Sequence, residues 1–407
     1  MAPSQSPPSI KPLLLYFHFF FLCVFFSQQT HSASAPYSAI FSFGNSLADT
    51  GNYLLAGPTK FSYIASLPYG ETYFHFPTGR ACDGRLIVDF IGCACTSLSN
   101  RIIADEAYVN SMATAEAYGV PMLPPYLARS LGASFRQGVN FAVVGATALD
   151  PIFFDRRNLS SELVTNSSLS VQLGWFKDLK SSLCYSTKCK FAVEFFRKSL
   201  FLVGEIGGND YNFAFFGGKS VNEIVTYVPE VANAIASAVR KLIEQGAMDL
   251  VVPGNFPIGC SAIYLTYFQS SNRSDYDANG CIIALNQFAE YHNSLLQSAL
   301  EQVRKKYPNR KIIYADYYDA AVQFFISPEK FGFSNGALSA CCGGLGPYNY
   351  NSSTPCGALG ATVCPDPTTY VNWDGIHFTE AAYHVIAAGL ANGPYATPPM
   401  APTPHLN

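Results

Sequence analysis

Charge is scarce in this chain of 407 residues. Charged side chains make up 13% of it, about half the share usual in soluble domains. The 25 basic and 28 acidic residues leave a formal net charge of −3. They form no basic block, and no cysteine–histidine run has the spacing of a zinc site. Nucleic acid is therefore not an expected partner. Beyond the first thirty residues no uncharged apolar run reaches membrane-spanning length, so no stable membrane anchor is expected in the mature chain. There is no internal repeat.

Apolar residues, by contrast, are abundant. They make up 49% of the chain, with 14% aromatic. This is the composition of a core-rich globular protein, not a disordered one. The aromatics suit core and loop packing, or an aromatic-lined cleft for an organic substrate. The length fits one large α/β domain or two ordinary ones.

The N-terminus carries a targeting pattern. Lys11 is followed by an apolar run from Leu13 to Phe26, broken only by His18. Polar Ser27-Gln28-Gln29-Thr30 and a small-x-small Ala33-Ser34-Ala35 come next. This reads as a signal peptide over residues 1–35, cleaved near Ala35. The alternative is an uncleaved anchor. Of the 12 cysteines, Cys23 would leave with that peptide, and most of the rest should pair in an oxidising compartment. Cys184 and Cys189 could close a short loop, Cys260 and Cys281 flank one connection, and Cys341, Cys342, Cys356 and Cys364 cluster late in the chain. The spacing leaves the pairing open. Sequons at Asn158, Asn166, Asn272 and Asn351 fit glycosylation of an exported protein.

The chain alternates strand-like and helical segments. Strands are expected over Tyr37–Phe43, Gly138–Val144, Leu200–Gly204, Leu250–Val252 and Lys311–Ala315. Helices are expected over Val221–Gln245, over Cys281–Lys306 and from a Thr379 N-cap to about Leu390. Apolar strands separated by long helices predict a parallel sheet covered on both faces, with ligands at the carboxyl ends of the strands. The chemistry-bearing residues fall at those ends, so one domain is expected. The tail from Gly393 is rich in proline and reads as loose.

Four segments could carry chemistry. Ser46 follows a strand and a glycine, where its hydroxyl could project into a cleft. Equally, Gly44-Asn45-Ser46 could be only a turn. In Trp373-Asp374-Gly375-Ile376-His377 an acid stands three residues before a histidine. One tight turn can bring that carboxylate onto Nδ1 and leave Nε2 free to act as a base on serine. His75, His292 and His384 lack such a context, and His18, His31 and His405 lie in segments expected to be cleaved or loose. Asn209, in Gly207-Gly208-Asn209-Asp210, can offer an amide donor. Gly145 can offer a backbone N–H with no Cβ in the way.

Taken together and in this order, the set resembles the SGNH hydrolases, and specifically the plant GDSL esterase/lipase family. Its four blocks are matched by Phe43 to Asn52, by Gly138 to Thr147, by Gly204 to Asp210 and by Trp373 to Thr379. Further likeness lies in Pro68-Tyr69-Gly70-Glu71-Thr72, Pro77-Thr78-Gly79-Arg80, Asp83-Gly84-Arg85, Val252 to Cys260 and Gly346 to Tyr350. It covers nearly the whole chain after the signal peptide. The resemblance implies a three-layer α/β/α, flavodoxin-like fold over residues 36–392 with a five-stranded parallel sheet. It implies Ser46 as nucleophile, His377 as base and Asp374 as its orienter, in a reaction that needs no metal or other cofactor. The oxyanion hole would be formed by the Ser46 and Gly145 N–H groups with the Asn209 amide. It further implies a secreted, monomeric hydrolase of small-molecule, polysaccharide or lipid esters, in the apoplast or cell wall or in the vacuole. Transfer of the acyl group to an alcohol by the same residues is the alternative reaction, and a non-catalytic glycoprotein the alternative class. A Gly-x-Ser-x-Gly elbow is missing, which argues against the unrelated α/β-hydrolase fold.

The chain departs from the family pattern in three places. Asn45 stands where the family motif has Asp, and activity is expected to survive because Asn keeps the size and hydrogen bonding. The cysteine of the Gly-Arg-Cys-Ser-Asp-Gly-Arg pattern is shifted by one, to Cys82. Residues 92–114, with Cys93 and Cys95, read as an insertion: a lid or partner loop, a tolerated surface loop, or a mispredicted gene segment.

Overall fold

Five short runs rich in Ile, Leu, Val and Phe form the parallel strands: β1 (Ala39–Phe43), β2 (Gly138–Asn140), β3 (Ser199–Val203), β4 (Asp249–Pro253) and β5 (Lys311–Ala315). The computed structural model describes residues 37–58, 60–92, 122–183 and 190–400. The expected signal peptide, the segment 93–114, and Cys93, Cys95, Cys184 and Cys189 lie outside them.

A two-stranded antiparallel pair, β6 (Cys342–Gly343) and β7 (Thr362–Val363), stands apart from the main sheet. The last strand, β8 (Ala396–Thr397), completes a main sheet of order β2-β1-β3-β4-β5-β8. The five parallel strands are present, but the sheet has six, because β8 pairs antiparallel with β5. The tail from Gly393 is correspondingly not loose as far as residue 400. The Tyr395 carbonyl accepts the Asp316 N–H at 2.8 Å, and Met400 is buried. Two residues of strand are too few to leave an alternating pattern in the sequence.

Side chains along each strand alternate between two cores. Phe41, Phe43, Phe201, Leu250 and Ile312 face one side. There they pack against α2 (Leu169–Leu183), α3 (Lys190–Arg197), α5 (Val228–Glu244) and α6 (Ile283–Lys306), which follow in the chain the short α1 (Ile87–Gly92) and, between α3 and α5, α4 (Gly208–Phe216). Ile40, Leu200, Leu202, Val251 and Ile313 face the other side, against α1, α7 (Tyr317–Ile326) and α8 (Glu380–Asn392). Both faces are covered, giving three layers.

The helix expected over Val221–Gln245 is two. A short turn, Val221–Val225, precedes α5, whose first turn contains Pro229. Proline has no N–H to give and fits a helix start, so it marks a restart that periodicity alone overlooks. The final helix begins as expected: the Thr379 hydroxyl accepts the Ala382 N–H.

In this order the chain reverses direction across the sheet between β1 and β3. That switch leaves a crevice at the carboxyl ends of those two strands. Ser46 follows β1 and Asn209 follows β3.

Candidate active site

The turn after β1 is shaped by Gly44, whose φ of +141° is closed to ordinary side chains. Both backbone groups of Gly44 are held by the Gln172 amide, at 2.9 and 2.8 Å. The next turn is organised by Asp49. Its carboxylate accepts N–H groups from Gly51, Asn52, Tyr53 and Val144, all within 3.0 Å. Asp49 thereby ties the Ser46 segment to the segment that carries Gly145. Burial pushes its carboxyl up to about 6, against the pull of those four donors.

His377 arrives on the loop before α8, and that loop is pinned from several sides. Cys341 and Cys342 donate to the carbonyls of Asn372 and Trp373 at 2.9 and 2.7 Å. The same cysteines are bonded to Cys364 and Cys356. Trp373 is fully buried. Gly375, at φ +98°, turns its carbonyl to the Ile263 N–H at 3.0 Å and the Ser261 hydroxyl at 2.6 Å.

These two loops meet. Ser46 Oγ lies 2.8 Å from His377 Nε2, and His377 Nδ1 lies 2.7 Å from Asp374 Oδ2. The other Asp374 oxygen accepts the N–H groups of Ile376 and His377, at 3.0 and 2.9 Å. The Tyr69 hydroxyl also donates to Oδ2, at 2.9 Å. Ser46 and His377 are 7% and 9% exposed, enough to open onto a cavity while excluding bulk water. Burial pushes the Asp374 carboxyl up, but the charge and hydrogen bond of His377 and the two backbone donors outweigh it and hold the carboxyl below its usual range. Burial, and then the Asp374 charge, push the Tyr69 hydroxyl well up, so it stays a donor. Such a chain can move a proton off a serine hydroxyl and stabilise the imidazolium that results.

Gly145 and Asn209 border the same cavity as Ser46 and His377, which encloses about 450 Å³. Gly145 has φ +77°, and a Cβ there would lie 2.4 Å from Val164. Among the described residues neither the Ser46 N–H nor the Gly145 N–H meets a protein acceptor. The Asn209 amide nitrogen spends one hydrogen on the Ala146 carbonyl, at 3.0 Å, and keeps the other. Asp210 fixes the neighbouring backbone by accepting from Ala148 and Leu149, at 2.8 and 2.9 Å. Burial raises its carboxyl to about 7. Donors without partners beside a serine hydroxyl suit a developing oxyanion.

The structure thus brings together Ser46, Asp374, His377, Gly145 and Asn209. Of the sequon asparagines, Asn158, Asn166 and Asn272 are exposed and Asn351 is half-buried. Three disulfides, Cys260–Cys281, Cys341–Cys364 and Cys342–Cys356, answer the open question of pairing among the described residues. Cys82 is buried with a free thiol. Sequence reasoning missed Tyr69, Glu205 and the cavity wall of Phe61, Tyr63, Phe216, Tyr267 and Tyr350. Tyr69 and Glu205 sit in segments that resemble the family, but nothing local says what either one touches. Among the described residues no helix is long and apolar enough to cross a membrane.

Comparison with known proteins identifies the family. Residues 40–390 match the family described as GDSL-like Lipase/Acylhydrolase. A GDSL esterase/lipase of Arabidopsis thaliana is 50% identical over 369 residues, covering 89% of this chain and 92% of its own. A second from the same plant is 47% identical over 403 residues, covering 98% and 92%. A sinapine esterase of Brassica napus is 45% identical over 394 residues, covering 96% and 94%. The chain belongs to the GDSL-like lipase/acylhydrolase family and is a hydrolase of carboxylic esters.

Proposed function

We propose that this enzyme is exported and cleaves its ester through an acyl-serine intermediate on Ser46. The observation that carries the reading is the Ser46–His377–Asp374 chain opening onto a cavity bordered by unpaired N–H donors. His377 Nε2 takes the Ser46 proton as Oγ attacks the ester carbonyl. The oxyanion is met by the N–H groups of Ser46 and Gly145 and by the Asn209 amide. The imidazolium then gives its proton to the departing alcohol. A water, deprotonated by the same Nε2, releases the acid and restores the serine.

Two cavities meet at Ser46 and support a division of the substrate. The larger, of about 450 Å³, is bordered by His377, which must protonate the leaving alcohol. The smaller, of about 70 Å³, lies toward Leu47, Phe256, Ile258 and Phe325 and does not touch His377. The smaller space suits a short acyl group, while the larger, aromatic-walled space suits a bulky alcohol. The N-terminal targeting pattern, the three disulfides and the exposed sequons support export.

The test is hydrolysis of 4-nitrophenyl esters of increasing acyl length by the wild type and by Ser46→Ala. The acetate and butyrate are expected to be cleaved fastest, and Ser46→Ala to be inert. Equal rates for the two proteins would refute the role of Ser46. An added alcohol acceptor in the same assay reports transfer.

A further inference from the structure

Asn45 stands beside Ser46, and both its amide oxygen and its NH₂ are engaged. Its carbonyl oxygen accepts the Leu47 N–H at 3.0 Å, and its NH₂ donates to Glu205 Oε2. Glu205 follows β3. Its other oxygen accepts the Gly208 N–H at 3.2 Å, one residue before Asn209, and its carbonyl accepts the Asn45 N–H at 3.2 Å. Asn45 and Glu205 are 3% and 4% exposed and line the smaller cavity with Ser46 and Asn209. One carboxylate therefore bridges the turn that carries Ser46 and the turn that carries Asn209.

The identity of residue 45 decides what that bridge can be. An Asp there would face a second carboxylate, and the two would have to share a proton. An amide donates without one, so Glu205 can bridge as the free anion. We propose that Glu205 is a positioning residue for ester hydrolysis: held by Asn45 and Gly208, it keeps Ser46 in register with Asn209 and adds a second negative charge to the surroundings of His377. This rests on the roles of Ser46 and His377 proposed above.

The electrostatics agree. Burial raises the Glu205 carboxyl to about 7, against the Asn45 and Gly208 hydrogen bonds and the positive charge available to His377. The interaction is mutual, so an ionised Glu205 favours the imidazolium that forms when Ser46 gives up its proton. The other titratable groups that feel its charge are Asp210, Tyr211 and Tyr317.

The test uses the full chain and 4-nitrophenyl acetate, with kcat and KM measured across pH for wild type, E205Q and the double variant N45D/E205Q. In E205Q the single amide oxygen can accept from Asn45 or from Gly208 but not from both, so the two-ended bridge is lost together with its charge. In the double variant the new amide at position 205 donates to the new carboxylate at position 45, so the same hydrogen bond returns with its charge moved one side chain across. The expected result is a kcat for E205Q lower by about 10- to 100-fold with KM little changed, because the register matters most in the transition state. The double variant should recover to within about fivefold of wild type, since the contact and the charge are both restored. The acid limb of kcat/KM should lose one proton's worth of steepness in E205Q. A kcat for E205Q within threefold of wild type, a loss seen in KM alone, or a double variant no faster than E205Q would each overturn the proposal. If E205Q does not fold, the double variant and the wild-type acid limb decide. A folded but slow double variant, or a one-proton limb in the wild type, contradicts it. Ser46→Ala assayed in parallel separates the two readings. An active Ser46→Ala sinks the mechanism above, whereas an inert Ser46→Ala beside a fast E205Q sinks only the role of Glu205.

Discussion

Replacing Asp374 by Asn removes a charge and almost no volume, so its effect isolates what the carboxylate does. In the native site Oδ1 accepts two backbone N–H groups, while Oδ2 accepts His377 Nδ1–H and the Tyr69 hydroxyl. An Asn can keep its oxygen on the two backbone donors. Its NH₂ then points at Nδ1 and at Tyr69, and both must change. The imidazole is driven to the tautomer with its proton on Nε2, where it can no longer accept from Ser46 Oγ 2.8 Å away. The imidazolium also loses its buried counter-charge. In serine hydrolases with this geometry the same exchange costs about four decades in kcat, or about 5.5 kcal/mol of barrier. We expect Asp374→Asn to lose about 10³- to 10⁴-fold in kcat with little change in KM. Tyr69→Phe removes only one donor to the same oxygen and should fall between, with a loss of about 10- to 100-fold, the worth of one hydrogen bond to a charged group. The assay is hydrolysis of 4-nitrophenyl acetate, with a thermal melt to show that each variant is folded. A folded Asp374→Asn within tenfold of wild type would refute the argument that this carboxylate sets the His377 tautomer.

Three further outcomes follow from the same geometry. Asn209→Ala should lower kcat by about 10²- to 10³-fold with KM nearly unchanged, the loss of one oxyanion donor; a loss confined to KM would place Asn209 in ground-state binding instead. Gly145→Ala should destabilise the fold by about 2 kcal/mol or more in a denaturant titration, since the new methyl meets Val164 and φ is +77°; a melt unchanged from wild type would contradict it. Asp210 has a carboxyl raised to about 7 in the fold and near 3.9 in the unfolded chain, so both states are protonated below about pH 4 and its contribution is then fullest. As the pH climbs from there to about 7 the unfolded chain ionises first, and stability falls by on the order of 4 kcal/mol. Asp210→Asn should flatten the fall in Tm between those limits, and an equal fall in both proteins would show that Asp210 is not its source.

What could be read in the sequence was what leaves a local pattern. The parallel strands are apolar on both faces, so Tyr37 to Phe43 and Leu200 to Gly204 read as strands. Thr379 reads as a cap because a hydroxyl before a helix has one common use. Asp374 and His377 stand three residues apart, and that spacing alone suggests their contact. What was not legible depends on chain separation. Glu205 meets Asn45 across 160 residues, and Tyr69 meets Asp374 across 305. Neither partner changes the local propensity of the other. β8 escaped notice because its two residues gain their extended form from the edge of β5, not from their own pattern. The cavity wall was equally hidden, since Phe61, Tyr63, Tyr267 and Tyr350 come from three separate segments and their aromatic rings are indistinguishable in sequence from core residues.

The central claim is covalent catalysis at Ser46, and trapping the intermediate addresses it most directly. The wild-type protein is mixed with 4-nitrophenyl acetate, quenched in acid within the first turnover, digested and weighed by mass spectrometry. An acetyl group on the peptide that contains Ser46, absent from the same peptide of Ser46→Ala, is the expected result. Full hydrolytic activity with no acyl group on Ser46, or with the group on another residue, would contradict the account.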